Sequence, residues 1–318
     1  MTHRIMLAPM EGVIDHSLRE IFSAIGGIDR CVTEFARVTQ HPLKRRQLLS
    51  ICPELDQNGH TRCGTPVYLQ LLGSNPALMA ASAARAAELG VAGIDINFGC
   101  PAKTVCNHQG GSILLEQPSL VESIIGATRR ALPDHIPLSV KIRLGFNDDD
   151  KLDDNIQAAI NGGANELCIH ARTRKQGYTA PAYWQKIEAQ RWPINIIANG
   201  EIWCSDDYHR CRQQSGSNDI MLGRGIIARP DLAKIIKAEL AGEDYTAMTW
   251  QQLLPIIIAL QSDNIERYPR KHAGNRIKQW LMYLQRNYPE AAETFEAVKR
   301  LQDPTELLKQ LQQQLENA

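Results

Sequence analysis

The chain has 318 residues, 43% of them apolar and 22% charged, with 35 basic and 35 acidic side chains and a formal net charge of zero. That composition excludes a disordered chain and a globally basic nucleic-acid binder, so any polyanion must be met by a local patch. No apolar window of about 18 residues occurs, which excludes a membrane-spanning helix, and the eight cysteines form neither a C-x-x-C pair nor a zinc-like spacing.

Short apolar runs at 5–8, 31–33, 67–71, 93–97, 139–142, 167–170, 194–198 and 220–222 predict eight strands. Helix-length stretches at 76–89, 119–131, 153–161 and 205–214 lie between them, and Gly26, Gly90 and Gly162 stand where helices should stop. Eight strands alternating with helices predict an α/β fold with a parallel sheet, and eight is the number of a TIM (β/α)8 barrel. An open doubly wound sheet is the alternative. No G-x-G-x-x-G follows the first strand, which weakens it.

From about Thr246 no further strand runs occur. The stretches 253–267 and 277–287 have helical spacing, with Ile277, Leu281 and Leu284 at i, i+4 and i+7. Pro289 begins a further helix. Asp303-Pro304-Thr305-Glu306 is a helix start with a cap, a proline in first position and an acid three residues on. The expected division is a barrel domain over 1–245 and a C-terminal helical domain over 246–318.

Side chains alternate across a strand. Val140, Ile142 and Leu144 lie on one face of strand 139–142 and its extension; Ser139, Lys141 and Arg143 lie on the other. Asp95 and Asn97 oppose Ile94 and Ile96, Cys168 and His170 oppose Leu167 and Ile169, and Tyr68 and Gln70 oppose Val67, Leu69 and Leu71. If the apolar faces meet the helices, then Gln70, Asn97, Lys141, His170 and Asn199 all point into the barrel at its C-terminal end. That is the end at which barrel enzymes build active sites. Buried polar groups are costly without partners, so five around one cavity suit a large heteroaromatic ligand. Asn199-Gly200-Glu201 and Gly223-Arg224-Gly225 follow the last two strands, where barrels often hold a phosphate. A phosphate at one side and a polar ring at the centre suit FMN. Cys100, in Asn97-Phe98-Gly99-Cys100-Pro101, sits on a loop over this cavity, where a thiol can be a nucleophile, a general acid or packing.

Six further stretches stand in order with Asn97-Phe98-Gly99-Cys100-Pro101: Leu7-Ala8-Pro9-Met10-Glu11-Gly12-Val13, Gln70-Leu71-Leu72-Gly73, Val140-Lys141-Ile142-Arg143-Leu144-Gly145, His170-Ala171-Arg172-Thr173, Ala198-Asn199-Gly200-Glu201 and Gly223-Arg224-Gly225. At these positions the sequence resembles the bacterial tRNA-dihydrouridine synthases. Glu11 and Arg276-Ile277-Lys278-Gln279-Trp280-Leu281 make it most similar to their C-type. The resemblance implies a flavin-dependent oxidoreductase with FMN as cofactor and NADPH as reductant. It implies that Ala8, Pro9 and Met10 lie by the flavin ring, that Gln70 bonds its pyrimidine edge, and that Lys141 stands near flavin N1 and the C2 oxygen. His170 would also contact FMN; Asn199, Gly200, Glu201, Gly223 and Arg224 would hold the ribityl phosphate. Asn97 would orient the target uracil, and Cys100 would protonate its C5 after hydride reaches C6.

The same resemblance implies a tRNA partner, met at uridine 16 of the D loop, with Arg37, Arg276, Lys278 and Lys299 setting its orientation and Arg143 and Arg172 also facing it. Independently of that, the stretch 267–286 holds six arginines and lysines and no acid, a pattern that fits phosphate contacts. Arg37, Lys44, Arg45 and Arg46 extend the basic set. A flavin barrel acting on a free pyrimidine would not need the basic helical stretch, and a tRNA-binding protein without catalysis would not need Cys100, Lys141 and His170. The cysteines read as reduced thiols, no metal site is expected, nothing calls for a membrane or an obligatory protein partner, and a cytoplasmic location follows.

Overall fold

A computed structural model describes residues 3–316. Nine strands occur among them: β1 (Ile5–Leu7), β2 (Arg30–Val32), β3 (Ala36–Arg37), β4 (Val67–Leu72), β5 (Gly93–Asn97), β6 (Leu138–Arg143), β7 (Glu166–His170), β8 (Asn195–Asn199) and β9 (Asp219–Leu222). All eight expected strands are present. Every pairing between them is parallel, β1 joins β9, and β2 joins β4, so the sheet closes on itself as an eight-stranded barrel. This is the predicted TIM barrel and excludes the open doubly wound alternative.

The extra strand is β3, which continues the line of β2 along the end of β4. Where the line breaks, the Thr33 hydroxyl takes the place of a ladder carbonyl and accepts the backbone N–H of Gln70 at 3.0 Å. Two residues are too few to leave a periodic signal, so the sequence reads straight past this strand.

Between strands run α1 (His16–Ile25), α2 (Arg45–Ile51), α3 (Pro76–Glu88), α4 (Lys103–Cys106), α5 (Pro118–Ala131), α6 (Leu152–Asn161) and α7 (Ser205–Ser215). Asn75 caps α3 by accepting the Leu78 N–H at 3.1 Å, with Pro76 in first position. On α5, Val121, Ile124, Ile125 and Thr128 are buried at i, i+3, i+4 and i+7, the stripe a helix needs to cover a sheet. Inside the barrel, Met6, Ala8, Val32, Tyr68, Cys168, Ile197 and Met221 form a packed layer. Below it an ionic cluster fills the N-terminal end: Arg4 pairs with Asp219 and Glu166, Arg30 pairs with Glu166, and the Arg30 guanidinium lies 4.2 Å from the Tyr68 ring centre. Charged side chains thus pack the N-terminal end of the barrel, away from its C-terminal mouth.

The chain divides into two compact units: the barrel, which runs to Gly223 apart from Ile25–Gly27, and a second unit made of Ile25–Gly27 and the chain from Arg224 onward. The second unit holds α8 (Arg224–Ala228), α9 (Leu232–Ala241), α10 (Trp250–Arg267), α11 (Asn275–Leu284), α12 (Pro289–Val298) and α13 (Pro304–Glu316). Contacts thus divide the chain earlier than 245, where composition changes. Gly27 presses on α9 so closely that a Cβ there would stand 2.5 Å from the Ala233 carbonyl carbon. Trp280 Nε1 and Asn287 Nδ2 donate to the carbonyls of Ile227 and Ala228, tying α8 to the later helices. The expected helix start at 303 is present, with Asp303 Oδ1 accepting the Thr305 N–H at 3.0 Å.

Candidate active site

Strand alternation places Gln70, Asn97, Lys141, His170 and Asn199 on the same side of the wall as the packed inner layer, one or two residues further toward the mouth. All five are buried, none more than 9% exposed. All five thus turn inward, and Gln70, Asn97, Lys141 and Asn199 find partners within the ring. Lys141 Nζ donates to Asn199 Oδ1 at 3.0 Å, and Asn199 Nδ2 donates to the Met221 carbonyl at 2.8 Å. The neighbouring strands carry a second series. Ser139 Oγ donates to Asp95 Oδ1 at 2.5 Å, Gln70 Nε2 donates to Asp95 Oδ2 at 2.7 Å, and Asn97 Nδ2 donates to Gln70 Oε1 at 2.8 Å. Burial pushes the Asp95 carboxyl above its usual range, against the pull of the Ser139 and Gln70 hydrogen bonds.

Asn97 Oδ1 accepts two backbone N–H groups, those of Gly99 and Cys100, both at 2.8 Å. The loop beyond β5 is thereby folded back onto its own strand end. The Cys100 carbonyl accepts the Ser112 N–H at 3.1 Å and the Ser112 hydroxyl at 2.9 Å, which closes the loop from its far side. The half-buried Cys100 thiol is pushed up by burial, partly offset by the Ala102 backbone, so it holds its proton at neutral pH.

His170 Nε2 would be 3.2 Å from a Cβ on Gly200, whose φ of +117° only glycine adopts readily. The Gly200 carbonyl accepts Trp184 Nε1 at 2.8 Å, fixing the turn that ends β8. Glu201, also at positive φ, turns its carboxylate to the fully buried Arg172 and accepts Trp203 Nε1 at 2.6 Å. Arg172 Nε also donates to the Thr179 carbonyl at 2.8 Å. Arg143 is likewise buried: Nε donates to the Gly99 carbonyl at 2.8 Å, and Nη1 donates to the carbonyls of Thr173 and Gly177. Both arginines are thus buried and brace the loops at the mouth.

Two strands along from β8, beyond the end of β1, Ala8 is buried while Pro9 and Met10 are half-exposed. A Cβ on Gly223 would come within 3.5 Å of Met10 Sδ and 3.7 Å of Ala8 Cβ, so the glycine leaves a gap between these turns. Arg224 follows as the first residue of α8.

Of the expected polyanion contacts, Arg37 is half-exposed and donates to the Thr104 carbonyl at 3.3 Å, and Lys44, Arg45 and Arg46 are exposed. Arg276 and Lys278 lie half-exposed on α11, with Lys278 Nζ donating to the Leu301 carbonyl. Lys299 pairs with Glu296. The stretch 267–286 has no acid of its own, yet Arg270 pairs with Asp303 at 2.8 Å and Arg267 with Asp263 at 3.7 Å. Arg270, Lys271 and Lys278 line a cleft of about 510 Å³ in this unit.

Sequence reasoning had Asp95 and Ser139 on the inner face but gave neither a role. Their signal is a carboxylate two residues before Asn97 on a strand whose outer face is wholly apolar. Tyr178 was missed altogether: it is exposed, with its ring 6.1 Å from that of His170 and 5.2 Å from the Arg143 guanidinium. It comes from a loop, where periodicity carries no information.

A family model described as dihydrouridine synthase matches residues 6–318. A tRNA-dihydrouridine(16) synthase of Aquipseudomonas alcaligenes is 44% identical over 302 residues, covering 94% of this chain and 96% of that protein. The protein of the same name from Shewanella oneidensis is 43% identical over 312 residues, 98% of each chain. Among solved structures, a 2-naphthoyl-CoA reductase in complex with 2-naphthoyl-CoA superposes with a TM-score of 0.56 at 12% identity, over 76% of this chain and 50% of that one. An old yellow enzyme homologue from Zymomonas mobilis superposes with a TM-score of 0.51 at 12% identity, over 78% and 91%. At that identity the two share the barrel fold.

Proposed function

The chain belongs to the dihydrouridine synthase family, and we propose that it reduces the C5–C6 bond of a tRNA uridine, at position 16 in the D loop, using FMN and NADPH. The observation that carries this reading is the Cys100 thiol, kept protonated by burial and held by Asn97 beside a barrel mouth ringed with amides and one ammonium. Curated relatives at 43–44% identity over nearly the whole chain bear names for that activity.

The residues present fit a flavin mononucleotide. Lys141 offers a buried cation within the ring, where it would stand by the N1 and C2-oxygen edge and favour the reduced, anionic form. Gln70 retains one amide hydrogen and one lone pair for a pyrimidine edge after its bonds to Asp95 and Asn97. Gly223 keeps a side chain away from Met10 and Ala8, and Gly200 keeps one away from His170. Asn199, Gly200, Glu201 and Gly223 bring backbone to the end where a phosphate would lie. FMN, when bound, supplies hydride to C6 of the uracil ring. Charge then develops at C5 and O4, and Cys100 holds the proton that C5 receives. Asn97 keeps the thiol over the mouth and can orient the uracil. Arg143 holds the same loop from the other side through the Gly99 carbonyl. The target base must leave its stack to reach a barrel interior, and cations such as the half-exposed Arg37 and Arg276 and the exposed Lys299 would meet tRNA phosphates.

The test is direct. Purified protein should be yellow, release FMN rather than FAD, and with NADPH convert unmodified tRNA to a product whose dihydrouridine maps to position 16. Colourless protein that cannot be reconstituted with FMN, or flavin reduction by dihydroorotate with no reaction on tRNA, would overturn the reading.

A further inference from the structure

The hydrogen bonds from Ser139 to Cys100 form a single directed chain. Ser139 and Gln70 donate to Asp95, Asn97 donates to Gln70, and the backbone N–H groups of Gly99 and Cys100 donate to Asn97. A side-chain amide has nearly the same shape either way round, so only its partners decide which end is the oxygen. The backbone N–H groups of Gly99 and Cys100 can only donate, so Asn97 must turn its oxygen to them and its amino group to Gln70. Gln70 must then offer Asn97 its oxygen and turn its own amino group to Asp95, whose Oδ2 accepts it. With the chain reversed, Asn97 would face two N–H groups with its own amino group, donor against donor, and the loop would lose its tie to β5.

We infer that Asp95 is a positioning residue for Cys100, supplying the acceptor in which the two amides that clamp the 97–101 loop end, with Ser139 holding that carboxyl group in place. The inference rests on the reading of Cys100 as proton donor to the uracil. Asp95 is 1% exposed, and its hydrogen-bonded path to the loop runs through Gln70 and Asn97. In Asp95→Asn an NH₂ can stand where Gln70 needs an acceptor, donor against donor, and the end of the chain is weakened. In Asp95→Leu it is lost. In Asp95→Asn combined with Gln70→Glu the acceptor-only group moves one place along. The carboxylate introduced at position 70 then accepts from both Asn97 and the new amide at position 95, and the orientation of Asn97 is restored.

The experiment measures alkylation of Cys100 by iodoacetamide in the flavin-loaded enzyme, followed by peptide mass spectrometry, with the exposed Cys63 and Cys204 as internal references. In Asp95→Asn and Asp95→Leu the released loop should expose Cys100 and raise its rate severalfold relative to Cys63. Single-turnover dihydrouridine formation by pre-reduced enzyme should fall by up to about 10²-fold, the cost of a misplaced reacting group. The double variant should return Cys100 alkylation to near the wild-type rate, which a purely supportive role for Asp95 does not foresee. Wild-type alkylation in the folded single variants, a double variant no better than Asp95→Asn, or failure of all three to fold would each overturn the inference. Near-normal turnover by Cys100→Ala would instead remove the proton-donor reading and leave the alkylation pattern as it is.

Discussion

Asn97 Oδ1 accepts the backbone N–H of Cys100 at 2.8 Å, so the last side chain of β5 and the thiol three residues on are held as one piece. A proton donor so placed needs no base beside it, and the structure gives it burial instead. Cys100→Ala should keep its flavin and still be reduced by NADPH, while dihydrouridine formation falls on the order of 10²–10⁴-fold. Stopped-flow flavin absorbance against tRNA product separates the two; a variant with near-normal tRNA turnover would reduce Cys100 to packing.

The same thiol sets a pH dependence. Burial raises its pKa, so the acid form persists above the ordinary thiol range and is lost only as pH rises through the raised value. Single-turnover rates with pre-reduced enzyme should be level across roughly pH 6 to 8 and decline above the ordinary thiol pKa of about 8.5. A decline already under way at or below about pH 8.5 would mean that the thiol is not raised.

Gly200→Ala should loosen the cofactor end. The residue would be held at a φ of +117°, and its Cβ would press within 3.2 Å of His170 Nε2. Backbone strain of that kind costs about 1–3 kcal/mol. The expected result is a lower melting temperature together with a reduced flavin-to-protein ratio after purification. A fully loaded Gly200→Ala would show that the turn can relax.

Arg19 and Glu54 form a buried pair in the barrel unit, 2.8 Å apart and both almost wholly enclosed. Burial alone would raise the Glu54 carboxyl, but the Arg19 hydrogen bonds and charge overcome it and hold it below the usual range. A depressed carboxyl contributes stability that is fully present above its unfolded value and is lost as pH falls through the folded one. Glu54→Gln should therefore cost about 3–5 kcal/mol at neutral pH, leaving Arg19 buried and uncompensated. Its deficit against wild type should narrow below about pH 4. Denaturant melts across a pH series would show this; a pH-independent deficit would point to packing instead.

In the helical unit, Arg276→Ala with Lys278→Ala should weaken tRNA binding while NADPH-driven flavin reduction continues. Each lost phosphate contact should reduce the slope of log affinity against log salt by roughly 0.7–0.9. Because Lys278 also donates to the Leu301 carbonyl, the melting temperature needs recording alongside. Arg276→Ala alone, which leaves that bond intact, should still lower the salt slope. Unchanged affinity across the salt series would exclude both side chains from the tRNA surface.

By itself the sequence determined the barrel, the inward ring and the reactive thiol. Strand alternation has a period of two, so apolar Val140 and Ile142 were enough to turn Lys141 inward, and eight such strands leave little choice of architecture. Family motifs pointed to Cys100 on the loop after β5. What only the tertiary structure decided was pairing. Lys141 meets Asn199 across 58 residues, and Gln70 meets Asp95 and Asn97 across 25 and 27, because barrel closure and register bring those strands together. Periodicity reports which way a side chain faces but not what it faces, so Asp95 and Ser139 carried no visible role. The burial of Arg143 and Arg172 against loop carbonyls, and the Arg172–Glu201 pair, depend on how the mouth loops fold over the strand ends. The unit boundary at Gly223 was hidden for the same reason, since Gly27 and α9 touch only once the chain has folded.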